Sequence, residues 1–270
     1  MADSALARML LRLATGLTLA FIYLPLIVIG LYAFNTARVQ RWPLDGLTLD
    51  WWGKALENQG ARDALWMSVK AGLGATAIAL VLGTLASFAV ARYRFFGRDT
   101  VSFLVILPIA LPGIVTGLAL NATFGTALEP FGVEFGLFTI IVGHATFCIV
   151  VIYNNVVARL RRTARSLEEA SMDLGADTWQ TFRHVTFPAL RTALLAGALL
   201  AFALSFDEVI VTTFTVGSDP TLPIWILRNL SRPNQLPVVN VVAVVVILLS
   251  IIPVWIAQRL TSDAGVIGSR

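Results

Sequence analysis

Six stretches of about 20 or more mostly apolar residues run through the chain, at about 13–34, 64–91, 100–123, 137–158, 191–217 and 238–258. A helix rises about 1.5 Å per residue, so about 20 residues cross the ~30 Å hydrocarbon layer of a bilayer. No water in that layer satisfies backbone N–H and C=O groups, and a helix satisfies its own. The pattern predicts an all-α integral membrane protein with six transmembrane helices, forming one domain over residues 1–270. Hydrophobic residues are 57% of the sequence and charged residues 13%, too little charge to cover a water-soluble domain. The first stretch follows Arg8 and Arg12 as a signal peptide would. Its apolar run is too long for one and no clear small-residue cleavage site follows, so it is expected to stay as a span.

Basic residues give the orientation, because short positively charged loops resist translocation. Arg92, Arg94, Arg98, the arginines of residues 159–191, Arg259 and Arg270 fall on the same side as the N-terminal Arg8 and Arg12. Both termini and the long polar interruption at about 159–190 are therefore expected in the cytoplasm. The opposite face carries residues 35–63, whose Trp42, Trp51 and Trp52 suit an interfacial layer. Arginine placement accounts for the net charge of +4, and no nucleic-acid partner is implied. Cys148 is the one cysteine, which excludes a disulfide framework or a cysteine metal site.

The third stretch contains "LPIALPGIVTGLAL", in which Pro108, Pro112, Gly113 and Gly117 are expected to kink or unwind the helix. Backbone groups freed there need protein or a watery cavity around them, so this span is expected to face the protein interior.

Within the polar interruption, Ser166 and Glu169 have capping-box spacing, and a short helix is expected to start near Leu167 and run to Leu174. Gly175 supplies the left-handed turn that ends it. Asp177 and Gln180 repeat the capping box for a second helix, with Trp179, Phe182 and Val185 on its apolar face. Pro188 is a natural first-turn residue for the fifth span. The expected result is an amphipathic helix-turn-helix at the cytoplasmic membrane surface.

These residues resemble a known motif. Glu169, Ala170, Ser171, three residues, Gly175, nine residues, Val185, one residue, Phe187 and Pro188 are similar to the EAA loop of ABC importer permeases. Ser171 replaces the family's second alanine, Val185 its isoleucine and Phe187 its leucine. Six spans with this loop between the fourth and fifth resemble the type I ABC importer permease fold. "SFDEVIVTTFTVG", "TLPIWILRNL" and "VVNVVAVVVILLS" are similar to its spermidine/putrescine branch.

The resemblance implies a transport subunit of a bacterial inner membrane and not an enzyme. No G-x-x-x-x-G-K-[ST] phosphate loop is present, and Lys54 and Lys70 are the only lysines. ATP with magnesium is accordingly expected in two partner ATPase subunits, with no cofactor on this chain. A second permease, either a similar but distinct chain or another copy, and a periplasmic solute-binding protein complete the implied assembly, surrounded by lipid. The first loop helix would dock in the ATPase. There Glu169 would offer its charge to an arginine or lysine, Ala170 and Ser171 would allow close approach, and Leu174, Gly175, Val185 and Pro188 would shape the elbow.

Asp207 and Glu208 are expected within the fifth span, about 24 Å along the helix from Arg191. Ionisable groups at such depth face an interior or a watery path. They either line a path for a cationic solute or pair with Lys70 of the second span. An ion-coupled secondary transporter using Asp207, Glu208 and Lys70 is the alternative reading. His144 has no companion at metal-ligand spacing, which fits a hydrogen-bonded helix contact better than a ligand. Asn121, Asn154, Asn155 and Asn240 are expected to bond across helices.

Overall fold

The computed structural model describes residues 5–266, with side chains described from residue 6 to residue 251. Both termini, assigned to the cytoplasm from the arginine pattern, lie outside the described residues, as do Arg270 and the side chain of Arg259. Among the described residues twelve α-helices follow in order: α1 Ala5–Ala33, α2 Asp50–Glu57, α3 Gln59–Arg92, α4 Arg98–Ala110, α5 Gly113–Ala122 and α6 Leu137–Arg162. Then come α7 Ser166–Asp173, α8 Thr178–Thr181, α9 Phe187–Phe206, α10 Ile210–Thr215, α11 Leu222–Leu230 and α12 Leu236–Val266.

Among the described residues, four helical runs are long and apolar enough to cross a membrane: Leu6–Tyr32, Gln59–Arg92, Leu137–Arg162 and Thr178–Phe206. The bent pair Arg98–Ala110 and Gly113–Phe131 makes a fifth if it counts as one span. The sixth stretch falls in α12, whose described apolar part, Leu236–Ile251, is shorter.

The break in the third span is sharp, at 101°, and it has a local cause. Pro112 cannot donate a backbone hydrogen bond, and its ring disfavours helical geometry at the preceding residue. Leu111 is accordingly extended, with φ −80° and ψ 144°. Pro108 remains inside α4. Of the prolines and glycines in this stretch, Pro112 is the one that stands at the break.

The described chain forms two compact units. Residues 1–62 and 226–252 make the first. Its loop is fastened at buried Asn35, whose backbone carbonyl accepts a hydrogen bond from Trp51 Nε1 at 2.8 Å and whose Oδ1 accepts one from the Asp45 amide at 3.2 Å. Trp51 is therefore not an interfacial anchor. Its indole N–H finds a buried carbonyl, which removes the need for water at its polar tip. Trp52 packs on Phe34 with ring centroids 5.1 Å apart, and Trp42 stays exposed. Asn240 accepts a bond from Gln40 Nε2 at 3.1 Å, so its partner is loop and not helix.

Residues 63–225 and 253–270 form the second unit, with α6 at its centre. Cys148, Ile152, Val156 and Leu160 of α6 are fully buried against Ala75 and Ala79 of α3 and Leu190 and Ala201 of α9. Alanines at these positions let backbones approach closely, which is how helices gain dispersion energy where lipid and protein are equally apolar. Asn155 bonds to the Val151 carbonyl of its own helix, so it does not bridge helices as expected. Asn121 does cross, donating to the Phe214 carbonyl at 2.7 Å.

Candidate functional site

The elbow between α6 and α9 is built mostly by backbone rules. The turn after α7 closes with the Ala176 amide on the Ser171 carbonyl at 3.1 Å and the Gly175 amide on the Met172 carbonyl at 2.9 Å. That pairing requires a left-handed residue between the helices, and Gly175 has φ +90°. The second capping box also forms: Gln180 N donates to Asp177 Oδ1 at 2.8 Å, and Asp177 N donates to Gln180 Oε1 at 3.0 Å.

The first capping box does not form. Arg165 stands at the N-cap with helical dihedrals and no side-chain cap bond. The amides of Leu167, Glu168 and Glu169 already donate to the carbonyls of Ala164 and Arg165, so Ser166 has no orphan donor to satisfy. Glu169 instead meets Arg165 at 3.2 Å in an exposed pair. Ser171, the departure from the family's alanine, accepts a hydrogen bond from buried Thr181 Oγ1 at 3.2 Å, joining α7 to α8.

Pro188 stands in the first turn of α9, as expected, but α9 continues a longer helical run. The run Thr178–Phe206 is continuous, passing through a π-helical turn at Phe182–Thr186. At about 1.5 Å per residue this rod is roughly 43 Å long, about 13 Å more than the hydrocarbon layer. The excess corresponds to α8 plus the π turn. Val185 is half-buried within that turn and Pro188 is exposed just beyond it. Phe182 packs against Phe88 of α3 at 5.9 Å and Phe187 at 6.1 Å between ring centroids.

The outer surface of α7 has no such cover. None of its residues is buried. Leu167, Met172 and Leu174 are exposed, Leu174 to 90%, beside exposed Glu169 and Ala170. The neighbouring Glu168 differs, with its side chain only 14% exposed and 2.9 Å from Arg92. Successive helix residues point about 100° apart, so adjacent glutamates address different surroundings. Sequence reading missed Glu168 and Arg92. The signal available was that rotation, with no means of finding a partner 76 residues away.

The second candidate region lies beyond the rod. The fifth span was expected to run to residue 217, but α9 ends at Phe206. Asp207 and Glu208 therefore sit in a break, with α10 beginning at Ile210. Glu208 Oε1 accepts the Val211 amide at 2.9 Å, capping α10. Asp207 is exposed. Among the described residues neither carboxylate is ion-paired with Lys70, which is also exposed. Packed beside the break are α5 and the start of α6: Thr139 Oγ1 donates to the Thr215 carbonyl at 2.7 Å. His144 is fully buried between Ser205 and Thr212. No group of three or more His, Cys, Asp or Glu converges to hold a metal ion among the described residues.

Known proteins match this arrangement. Residues 79–264 match the family described as binding-protein-dependent transport system inner membrane component. The putrescine transport system permease protein PotI of Escherichia coli (strain K12) is 32% identical over 232 residues, covering 84% of this chain and 82% of that protein. The spermidine/putrescine transport system permease protein PotC of the same organism is 29% identical over 246 residues, covering 90% of each chain. Among solved structures, a bacterial ABC transporter involved in import of the acidic polysaccharide alginate superposes with a TM-score of 0.72 at 17% identity, covering 97% of this chain and 98% of that one. This likeness shows the fold, that of a type I ABC importer permease. The chain belongs to the family of binding-protein-dependent transport system inner membrane components, and it is a transmembrane permease subunit of an ABC importer and not an enzyme.

Proposed function

We propose that this permease moves small cationic amines of the putrescine and spermidine class across a bacterial inner membrane, powered by ATP and magnesium on two partner ATPase subunits. A second permease, distinct but similar, completes the pathway, and a periplasmic solute-binding protein delivers the solute. The elbow and both termini face the cytoplasm. The observation that carries the coupling role is the exposed surface of α7, where Leu167, Met172 and Leu174 stand uncovered beside Glu169. Apolar side chains rimmed by a charge suit a protein partner better than water.

The polyamine reading is supported by the relatives' substrates and by the break after Phe206. Phe206 ends a helix whose last carbonyls carry partial negative charge, and the exposed carboxylate of Asp207 adds a full one. A primary ammonium would be attracted to both. Closure of the ATPases on ATP would displace α7 and the rod Thr178–Phe206, and thereby the break at its far end. Ion coupling through Asp207, Glu208 and Lys70 is not favoured, given the family and the use of Glu208 as a cap.

Glu169→Gln tests the docking role because Glu169 caps nothing in its own helix. In proteoliposomes holding the whole importer, labelled putrescine uptake should fall at least about tenfold, as expected for loss of a charge-assisted contact. Undiminished uptake would refute docking through this residue.

A further inference from the structure

We infer that Glu168 and Arg92 are positioning residues that lock the loop helix to the second and fourth spans, so that α7, α3 and α6 move as one body during transport. This rests on the coupling role proposed for α7. Arg92 is the last residue of α3. One guanidinium nitrogen donates to Glu168 Oε1 at 2.9 Å and another to the Leu160 carbonyl near the end of α6 at 3.2 Å. The same Glu168 oxygen accepts from Thr186 Oγ1 at 3.2 Å, in the π turn that leads into α9. Two side chains thus join four elements.

Several features make this a joint and not a passing surface contact. The side chains are 13% and 14% exposed, so the pair is screened far less than the exposed Arg165–Glu169 pair. Arg92 sits where two helices end, α3 and α6, and both ends favour a cation. The cytoplasm-directed halves of α3 and α6 are themselves packed together: Val90 of α3 is buried against Tyr153 and Val157 of α6. Arg159 Nε donates to the Ala189 carbonyl at 2.8 Å, adding α9. A push on α7 therefore enters α3 and α6 through Glu168, and does not reach the fifth span alone. Glu169 faces the partner and Glu168 faces the permease, which gives adjacent carboxylates the two ends of one linkage.

The test uses the co-expressed importer in lipid, with single cysteines at Tyr93 and Ser166 carrying spin labels; both positions are exposed and neither is among the residues proposed to meet the ATPase. The distance between them should stay the same in nucleotide-free and ATP-trapped complexes. A change of about one helical turn, roughly 5 Å, would overturn the inference. A second arm replaces both partners by apolar residues, Arg92→Met with Glu168→Leu, which leaves no lone charge buried. ATPase subunits should still co-purify, while putrescine imported per ATP hydrolysed falls about fivefold or more. An unchanged ratio in that variant would also overturn it. Failure of the unmodified permease to retain any ATPase would instead refute the coupling role of α7 itself.

Discussion

His144 Nε2 lies 2.8 Å from Thr212 Oγ1, and the direction of that bond is fixed by what Thr212 does next. The Thr212 hydroxyl donates its single hydrogen to the Glu208 carbonyl at 2.6 Å. His144 must then donate from Nε2, leaving Nδ1 to accept from Ser205 Oγ at 2.7 Å. The result is a one-way chain, Ser205 to His144 to Thr212 to Glu208, which spans the break between α9 and α10 from its buried side.

Removing the imidazole should therefore loosen the break. His144→Ala leaves buried Ser205 Oγ without its acceptor, Thr212 Oγ1 without its donor and a cavity at a fully buried position, costing about 3 kcal/mol. Thermal melting of the purified importer should drop clearly. A melting temperature equal to the unmodified protein would contradict the bridging role.

The elbow turn gives a cleaner contrast, because a side chain at Gly175 would meet open space and only the backbone angle is restrictive. Asparagine tolerates the left-handed region, whereas a β-branched residue does not. Gly175→Asn should retain ATPase co-purification; Gly175→Val should lose most of it, with a cost of about 1–2 kcal/mol or more to the turn. Equal retention by both variants would refute the requirement for this turn.

Close packing around α10 predicts an order of damage. A Cβ at Gly217 would land on the Phe135 backbone carbonyl, 2.8 Å from its carbon, whereas one at Gly117 would overlap the ring edge of Phe214, 3.1 Å from Cγ. A ring can turn more readily than a backbone can shift. Gly217→Ala should lower the yield of assembled importer more than Gly117→Ala. The reverse order, measured by size-exclusion yield, would count against this packing.

The two carboxylates at the break should separate in kinetics. Asp207→Asn removes an exposed charge without removing a cap, so the half-saturation for putrescine should rise severalfold with thermal stability kept. Glu208→Ala removes the acceptor for the Val211 amide, with a stability cost of about 1 kcal/mol. If Asp207→Asn leaves uptake kinetics unchanged, the cationic path does not run past that residue.

Local chemistry was legible in the sequence wherever a residue acts on its near neighbours. Pro112 broke its span, Gly175 turned the elbow and Asp177 with Gln180 capped the second loop helix. Reading failed where the partner was distant or the backbone supplied its own solution. Ser166 lost its cap role because the preceding turn already satisfied the amides. Trp51 went inward because the Asn35 carbonyl was waiting 16 residues earlier. Hydropathy carried the fifth span past Phe206 because Val209 to Val216 hold no charge and are mostly apolar around three threonines, and composition does not register a break held by hydrogen bonds from another helix. The π turn ahead of Pro188 has no sequence signature in this chain beyond the proline itself.

The central claim is that an ATPase grips α7, and Leu174, 90% exposed at its end, is the place to ask. Leu174→Cys introduces a reactive thiol into a chain whose native Cys148 is buried. A short thiol-to-amine cross-linker applied to the co-expressed importer in native membranes should yield a covalent permease–ATPase product, identified by mass spectrometry at residue 174. Cross-links from residue 174 to lipid alone, in an importer that still binds its ATPase, would contradict the account.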